Sequence, residues 1–397
     1  SFAEGRRSRQ TVGTKLDALP LREIEPNAAA AREADLSAAI EVARVALVIG
    51  LVFLHYFSFP NLDAPPFAGI DPRHPVATFV NGFVAFFFFS AVPLLSAISG
   101  WLFFNFEGDA RAAIARRARK RAGSLLAPLV AWNLLTVLLV SALWLAAPTS
   151  GLLGQLGFDP ASAGLLGTLD AVFGVTRLPV AFQFWFVRDL FLSVLAAPLL
   201  WFLLRRAPLL GAALLGAAWL AEFTFGVFVR TDVLFFFYLG GLLRTRGTDL
   251  RIGWGATLWL LGAYAALMAL RALAPHFVDL GAPEQQWAVD LLTRLARPLG
   301  VAACWGACLR LAALPAGGAL ARWGGAAFFL HAAHFPLIAL VKFALWKAVP
   351  AGTDAWMLAH YVGSVSATVG LCALAAVALF RLSPPLYAFL AGGRRLG

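Results

Sequence analysis

Arg44-Val-Ala-Leu-Val-Ile-Gly-Leu-Val-Phe-Leu-His55 places one fixed cation and one titratable imidazole inside a segment, residues 39–59, that is otherwise apolar and long enough to cross a bilayer as a helix. Ionisable side chains inside a membrane are costly. Those that persist face a protein interior or a watery cavity and mark a functional site. At 100° per residue the step from Arg44 to His55 comes to about 1100°, close to three full turns, so both side chains share one face about 16 Å apart along the axis.

The rest of the chain is built in the same way. Its 397 residues are 60% hydrophobic and 13% charged, with a mean hydropathy of +0.78, whereas an ordinary soluble domain carries about 25% charged residues. This composition reads as an all-α, polytopic membrane protein. Apolar runs predict ten spans, at 39–59, 77–104, 123–147, 184–204, 207–228, 231–243, 252–271, 287–309, 324–346 and 355–380. Residues 1–38 read as a flexible or surface-lying cytoplasmic tail, 39–381 as the transmembrane domain and 382–397 as a cytoplasmic C-terminal tail. The Leu/Gly-rich stretch 151–175 reads as a re-entrant or interfacial segment.

A net charge of +11 would suit nucleic acid, but its placement argues for topology instead. With the N-terminus in the cytoplasm, the inner connections collect Arg111 and the run from Arg116 to Arg121, then Arg205 and Arg206, Arg244, Arg246 and Arg251, Arg310 and Arg322, and Arg381, Arg394 and Arg395. The outer connections hold single basic residues: Arg73, Arg177, Arg230, Arg271 and Lys347. Cys304, Cys308 and Cys372 all lie in apolar segments and indicate neither a disulfide framework nor a metal knot. The chain starts at Ser1, and no charged region followed directly by an apolar core announces a cleaved signal, so targeting is expected to rest on the first span in the inner (plasma) membrane.

Several constellations carry chemistry. Arg116, Arg117, Arg119 and Arg121 with Lys120 form the densest cationic cluster; it anchors topology on anionic lipid and also suits bidentate phosphate binding. Trp185, Arg188 and Asp189 open the fourth span with an adjacent cation and anion. Glu222, Asp232, Asp290, Arg294 and Arg297 add outer-half charges, with Asp290 and Arg294 at the spacing of an intrahelical ion pair, and together these point to a hydrated cavity opening outward. His331 and His334 stand at i,i+3 in the ninth span; no third carboxylate or thiolate stands at suitable spacing, so a polar site is expected there and no metal. Ser99-Gly100 after Pro93 reads as close helix packing at a kink. A transporter or flippase for a glycan or lipid-linked sugar would also place charges inside spans, but no internal repeat supports that reading.

From about residue 35 to 381 the chain resembles membrane-bound acyltransferase family 3, which O-acetylates surface polysaccharides and related glycans. The landmarks are the Arg, ten residues, His pattern of Arg44 and His55; the aromatic run from Phe86 ending in Ser99-Gly100; the basic entry from Arg119 to Pro128; Phe184-Trp-Phe-Val-Arg-Asp-Leu190; Phe235-Phe-Phe-Tyr-Leu-Gly-Gly241; and Leu330-His-Ala-Ala-His-Phe-Pro336. The resemblance implies an acyl-CoA donor, most simply acetyl-CoA, and a glycan or glycolipid hydroxyl as acceptor. Some members carry a fused esterase-like domain beyond the tenth span, and none is expected here. Under that resemblance the donor phosphates are expected at Arg44 and the Arg116 to Arg121 cluster. His55 is expected to act as general base on the acceptor or to carry the acyl group transiently. Trp185, Arg188, Asp189, His331 and His334 are expected to position the acceptor or stabilise the oxyanion.

Overall fold

The structure, a computed structural model, describes residues 26–62, 65–147, 158–350 and 352–396, with side chains from Glu33 onward. The expected tail therefore lies largely outside the described residues, as does part of the 151–175 segment. Among the described residues the chain is all-helical. α1 runs Pro26–Leu54, so it begins ahead of the expected boundary at 39.

α2 (Pro75–Phe87) and α3 (Ala91–Phe103) follow one another through a 3-10 turn at Phe88–Ser90. Asp109 caps α4 (Ala110–Arg121) by accepting from the Arg111 amide at 2.9 Å, which satisfies one of the free N–H groups of the first turn. A widened turn at Ala122–Leu126 leads into α5 (Ala127–Ala146), where Pro128 cannot donate back to the previous turn. The described part of the Leu/Gly-rich stretch forms α6 (Gly164–Phe173). Next come α7 (Trp185–Leu195), α8 (Ala197–Arg206), α9 (Pro208–Leu220) and α10 (Asp232–Thr245). α11 (Trp254–Leu273), α12 (Pro283–Leu295), α13 (Arg297–Ala312) and α14 (Pro315–Ala321) follow. α15 (Ala327–Ala348), α16 (Asp354–Leu382) and α17 (Pro384–Leu390) complete the described chain.

Among the described residues six helical segments are long and apolar enough to cross a membrane, or eight if the two bent pairs, at 59° and 105°, are each one span. α9 and α10, with 13 and 14 residues, are shorter than a span. At 1.5 Å per residue they reach about 20 Å against a hydrocarbon core of about 30 Å.

Burial separates centre from periphery. α1, the α2–α3 span and the segment containing α15 are 56%, 61% and 56% buried, whereas those containing α5, α11 and α16 are only 28%, 22% and 28% buried. The first three form the hub. The exposed faces of α5, α8, α11 and α16 carry Leu138, Leu199, Trp259 and Leu374, apolar side chains that a lipid surround accommodates.

The tightest helix pair is α3 against α10. A Cβ on Gly100 would stand 1.9 Å from the Phe237 carbonyl oxygen, and one on Gly240 would stand 1.9 Å from that of Ala97. Only glycine permits backbones to approach so closely. At the far end Asp354, in the first turn of α16, accepts from the amides of Val76 and Ala77 at 2.9 and 2.8 Å, which satisfies the start of α2 and ties the two helices together.

Candidate active site

The site is built where α1 ends and α15 breaks. Phe335 leaves helical geometry at φ −116°, ψ 132°, because the residue before a proline is driven out of the α region. Pro336 has no N–H for the carbonyl of Ala332, four residues earlier. The Gln183 amide supplies the missing donor: its Nε2 donates to the carbonyls of Ala332 at 2.9 Å and Phe335 at 3.0 Å. Nothing in the sequence singles out this glutamine, since the contact spans about 150 residues.

The break sets His334 against the end of α1. His55 Nδ1 and His334 Nε2 are 2.7 Å apart, with the rings nearly parallel at 2° and their centres separated by 5.0 Å. The protons on this pair follow from one further contact. His334 Nδ1 lies 3.1 Å from the Leu330 carbonyl, which can only accept, so Nδ1 carries the hydrogen and Nε2 of the neutral ring is an acceptor. His55 Nδ1 is then the donor, and its Nε2 is left as a bare lone pair. His55 lines a cavity of about 930 Å³ together with Arg177, Phe182, Phe335 and Lys342, so that lone pair belongs to the one ring in the pair that has open space beside it.

The end of α1 is itself held in place. Lys342 Nζ donates to the carbonyls of Tyr56 and Ser58, both at 3.1 Å, which ties down the turn that follows α1. The Tyr56 hydroxyl bonds His360 Nδ1 at 2.9 Å, and His360 Nε2 donates to the Lys342 carbonyl at 3.1 Å. Lys342 could have been picked out by the rule that selected Arg44, as an ionisable residue inside an apolar run.

At the other end of α1 a second, narrower cavity of about 90 Å³ is lined by Arg44, Ser99, Arg121, His331 and Arg394. Three cations from α1, α4 and the C-terminal segment converge there, and the Glu41 carboxylate, paired with Arg44, is the acidic group beside them. Burial, with Arg44 and Arg121 close by, lowers the Arg394 pKa to about 10. It therefore stays charged at neutral pH. His331 closes this narrower cavity, with both ring nitrogens buried and, among the described residues, without a hydrogen-bond partner. Its ring centre is 5.8 Å from that of His334. His331, His334 and His55 thus form an imidazole row through the wall between the two cavities.

The remaining expected site residues go elsewhere. Arg117 closes the end of α3 by donating to the carbonyls of Phe103 at 2.7 Å and of Leu102 at 2.5 Å, while Arg116 and Arg119 do not line the narrower cavity. Asp189 is fully buried and accepts from Arg188 Nη1 at 2.7 Å and from the amides of Val229 and Arg230 at 3.2 and 2.8 Å. It pins the loop before α10. Trp185 stacks under the Arg230 guanidinium at 5.2 Å. The expected pairing within α12 is corrected: Asp290 pairs with Arg271 at 3.4 Å and Arg294 with Glu222, because each of the two faces a different neighbouring helix.

The sequence model of a family described as an acyltransferase domain matches residues 37–377. The chain is 26% identical over 363 residues, 91% of its own length and 94% of the relative's, to the succinoglycan biosynthesis protein ExoH of Rhizobium meliloti (strain 1021). No solved structure matches the chain.

Proposed function

The chain belongs to this acyltransferase family, and on that premise we propose that it moves an acetyl or other short acyl group from cytoplasmic acyl-CoA to a hydroxyl of a surface or secreted glycan on the outer side of the inner membrane. The observation that carries the reading is the imidazole row joining a cavity rich in arginine to a wide one bordered by His55. A similarity to a succinoglycan biosynthesis protein supports a glycan as acceptor.

In this reading the arginine-rich end faces the cytoplasm and binds the donor's phosphates, a role for which guanidinium groups are suited by their bidentate geometry. The inner cavity admits the end of the pantetheine arm, and the nucleotide stays on the basic face outside. His331, at the end of that cavity, turns its ring on donor binding to donate a hydrogen bond to the thioester carbonyl. His55 Nε2 takes the proton of the acceptor hydroxyl as its oxygen bonds to the thioester carbon. The carbon–sulfur bond then breaks, and the thiolate takes up the proton held by the imidazolium. His334 keeps His55 in the productive tautomer and orientation, as the third member does in a nucleophile–base–orienter set. All ten apolar segments cross the membrane, α9 and α10 with the help of the chain between them, and both termini are cytoplasmic. This is the arrangement that puts the basic connections on one side.

Purified protein in lipid nanodiscs, given radiolabelled acetyl-CoA and a neutral or acidic oligosaccharide, tests the proposal. Base-labile label is expected on the sugar, and His55→Ala is expected to abolish it without lowering the melting temperature by more than a few degrees. Full turnover by that variant would overturn the assignment.

A further inference from the structure

A third cavity, of about 390 Å³, lies among α2, the end of α9 and α10 to α13, away from the imidazole row. It sits at the His55 end of the molecule, where the loop following His55 meets the end of α11 through Ile70 N–H donating to His276 Nε2 at 3.0 Å. The proposed transfer chemistry makes no use of it.

Its lining holds four arginines, Arg230, Arg271, Arg294 and Arg297, and three carboxylates, Glu222, Asp232 and Asp290. Glu222 pairs with Arg294 and Asp290 with Arg271, while Arg230 and Arg297 both use the same oxygen of Asp232, at 2.5 and 2.9 Å. One positive charge is therefore left over. Arg297 is only 9% exposed, and among the described residues its Nε, Arg271 Nη1 and Asp232 Oδ1 are buried atoms without a hydrogen-bond partner. Buried guanidinium N–H groups without acceptors are costly. Arg271 lies over the Phe86 ring at 4.4 Å and Arg297 over Phe89 at 5.7 Å, so the aromatic faces prop both guanidinium planes at the floor of the cavity and hold their charge there. The volume lies within the range of small-molecule sites.

We propose that this cavity binds an oxyanion carried on a sugar, as a second subsite for the acceptor. The surplus cation takes the oxyanion through the Arg230 guanidinium, whose side chain is 37% exposed, and the exposed Glu222 carboxylate accepts from a sugar hydroxyl. The proposal rests on the glycan-acceptor reading above, but its test does not depend on turnover. The oxyanion has two sources with the same chemistry here: a carboxylate on an acidic sugar of the polymer, or the phosphate of a lipid-linked sugar.

Binding of glucuronate, glucose 1-phosphate and glucose to the full-length protein in zwitterionic nanodiscs, followed by calorimetry and by the melting temperature, separates the possibilities. At least one charged sugar is expected to bind tenfold or more tightly than glucose and to raise the melting temperature. Preference for glucuronate assigns the polymer carboxylate, and preference for glucose 1-phosphate the lipid-linked source. Arg297→Gln risks misfolding through Asp232, so Arg230→Gln, whose side chain is 37% exposed, is the main variant. It is expected to weaken the charged sugar at least tenfold while leaving acetyl-CoA binding unchanged. Equal affinity for glucose and both charged sugars, or unchanged binding in Arg230→Gln, would overturn the subsite. Charged-sugar binding without any acetyl transfer would leave the subsite standing and count against the transferase reading alone.

Discussion

In the proposed mechanism His55 and His334 act through the hydrogen bond between them, and this 2.7 Å contact is what leaves His55 Nε2 bare as the base. Removing His334 leaves His55 in place but free to turn over and to change tautomer. His334→Ala is therefore expected to lower kcat by about 10²–10⁴ with little change in the donor KM, as single-turnover assays would reveal. Because the base must be neutral to accept a proton, turnover falls as the pH is lowered. The acid limb of the kcat profile should shift in His334→Ala, whose His55 has lost the ring that accepted its Nδ1 hydrogen. The inner cavity makes a separate prediction. Arg394 is charged at neutral pH beside two other cations, so Arg394→Gln should raise the acetyl-CoA concentration for half-maximal rate roughly tenfold, about 1.4 kcal/mol of binding, with kcat within a few-fold. An unchanged KM would move the donor phosphates elsewhere. At this scale the sequence was informative about Arg44, His55, His331 and His334, since polar groups inside apolar runs are conspicuous. It was silent on Gln183, which lies at the edge of an aromatic run and gains its role only from a proline about 150 residues away. Arg394 read as one more topology charge, because nothing in a tail of small residues announces that it folds back.

At the level of elements, the pairing of α3 with α10 sets how closely the inner cavity can be built. Ser99-Gly100 was readable as a close-packing site from small residues after a proline. Its partner was not, because Gly240-Gly241 follows a run of bulky aromatics and proximity across about 140 residues leaves no trace in spacing. Gly240→Ala would drive a methyl group to 1.9 Å from the Ala97 carbonyl oxygen. The helices must then separate, which is expected to cost about 1–3 kcal/mol or more and to appear as a lowered melting temperature in detergent. A variant that melts like the parent would mean that α10 shifts freely along α3. The α15 break is the complementary case: Pro336 is plain in the sequence, but whether it bends an outer helix or opens a site depends on the donor that meets the freed carbonyl. The charges on α12 make the same point, for i,i+4 spacing permits an intrahelical pair and the neighbours on either side took both members instead.

Across the whole molecule, the basic ends and the apolar segments define two faces. The three native cysteines are buried, which gives a quiet background for accessibility labelling. Arg73→Cys should react with a membrane-impermeant maleimide in intact cells, and Arg246→Cys only after the membrane is opened; the reverse pattern would invert the proposed topology. What the sequence by itself determined is what local chemistry can encode. Helices follow from apolar runs free of strand patterning, the membrane environment from the low share of charged residues, and the two unusual ends of α1 from ionisable groups that have no other reason to be there. Only the tertiary structure decided which of the many arginines face one another, which histidine has a bare nitrogen beside open space, and which buried N–H groups stay without an acceptor. Those depend on distances between segments far apart in the chain. A hydrogen bond or an ion pair is decided over a few tenths of an ångström, a scale that residue spacing along a helix does not reach.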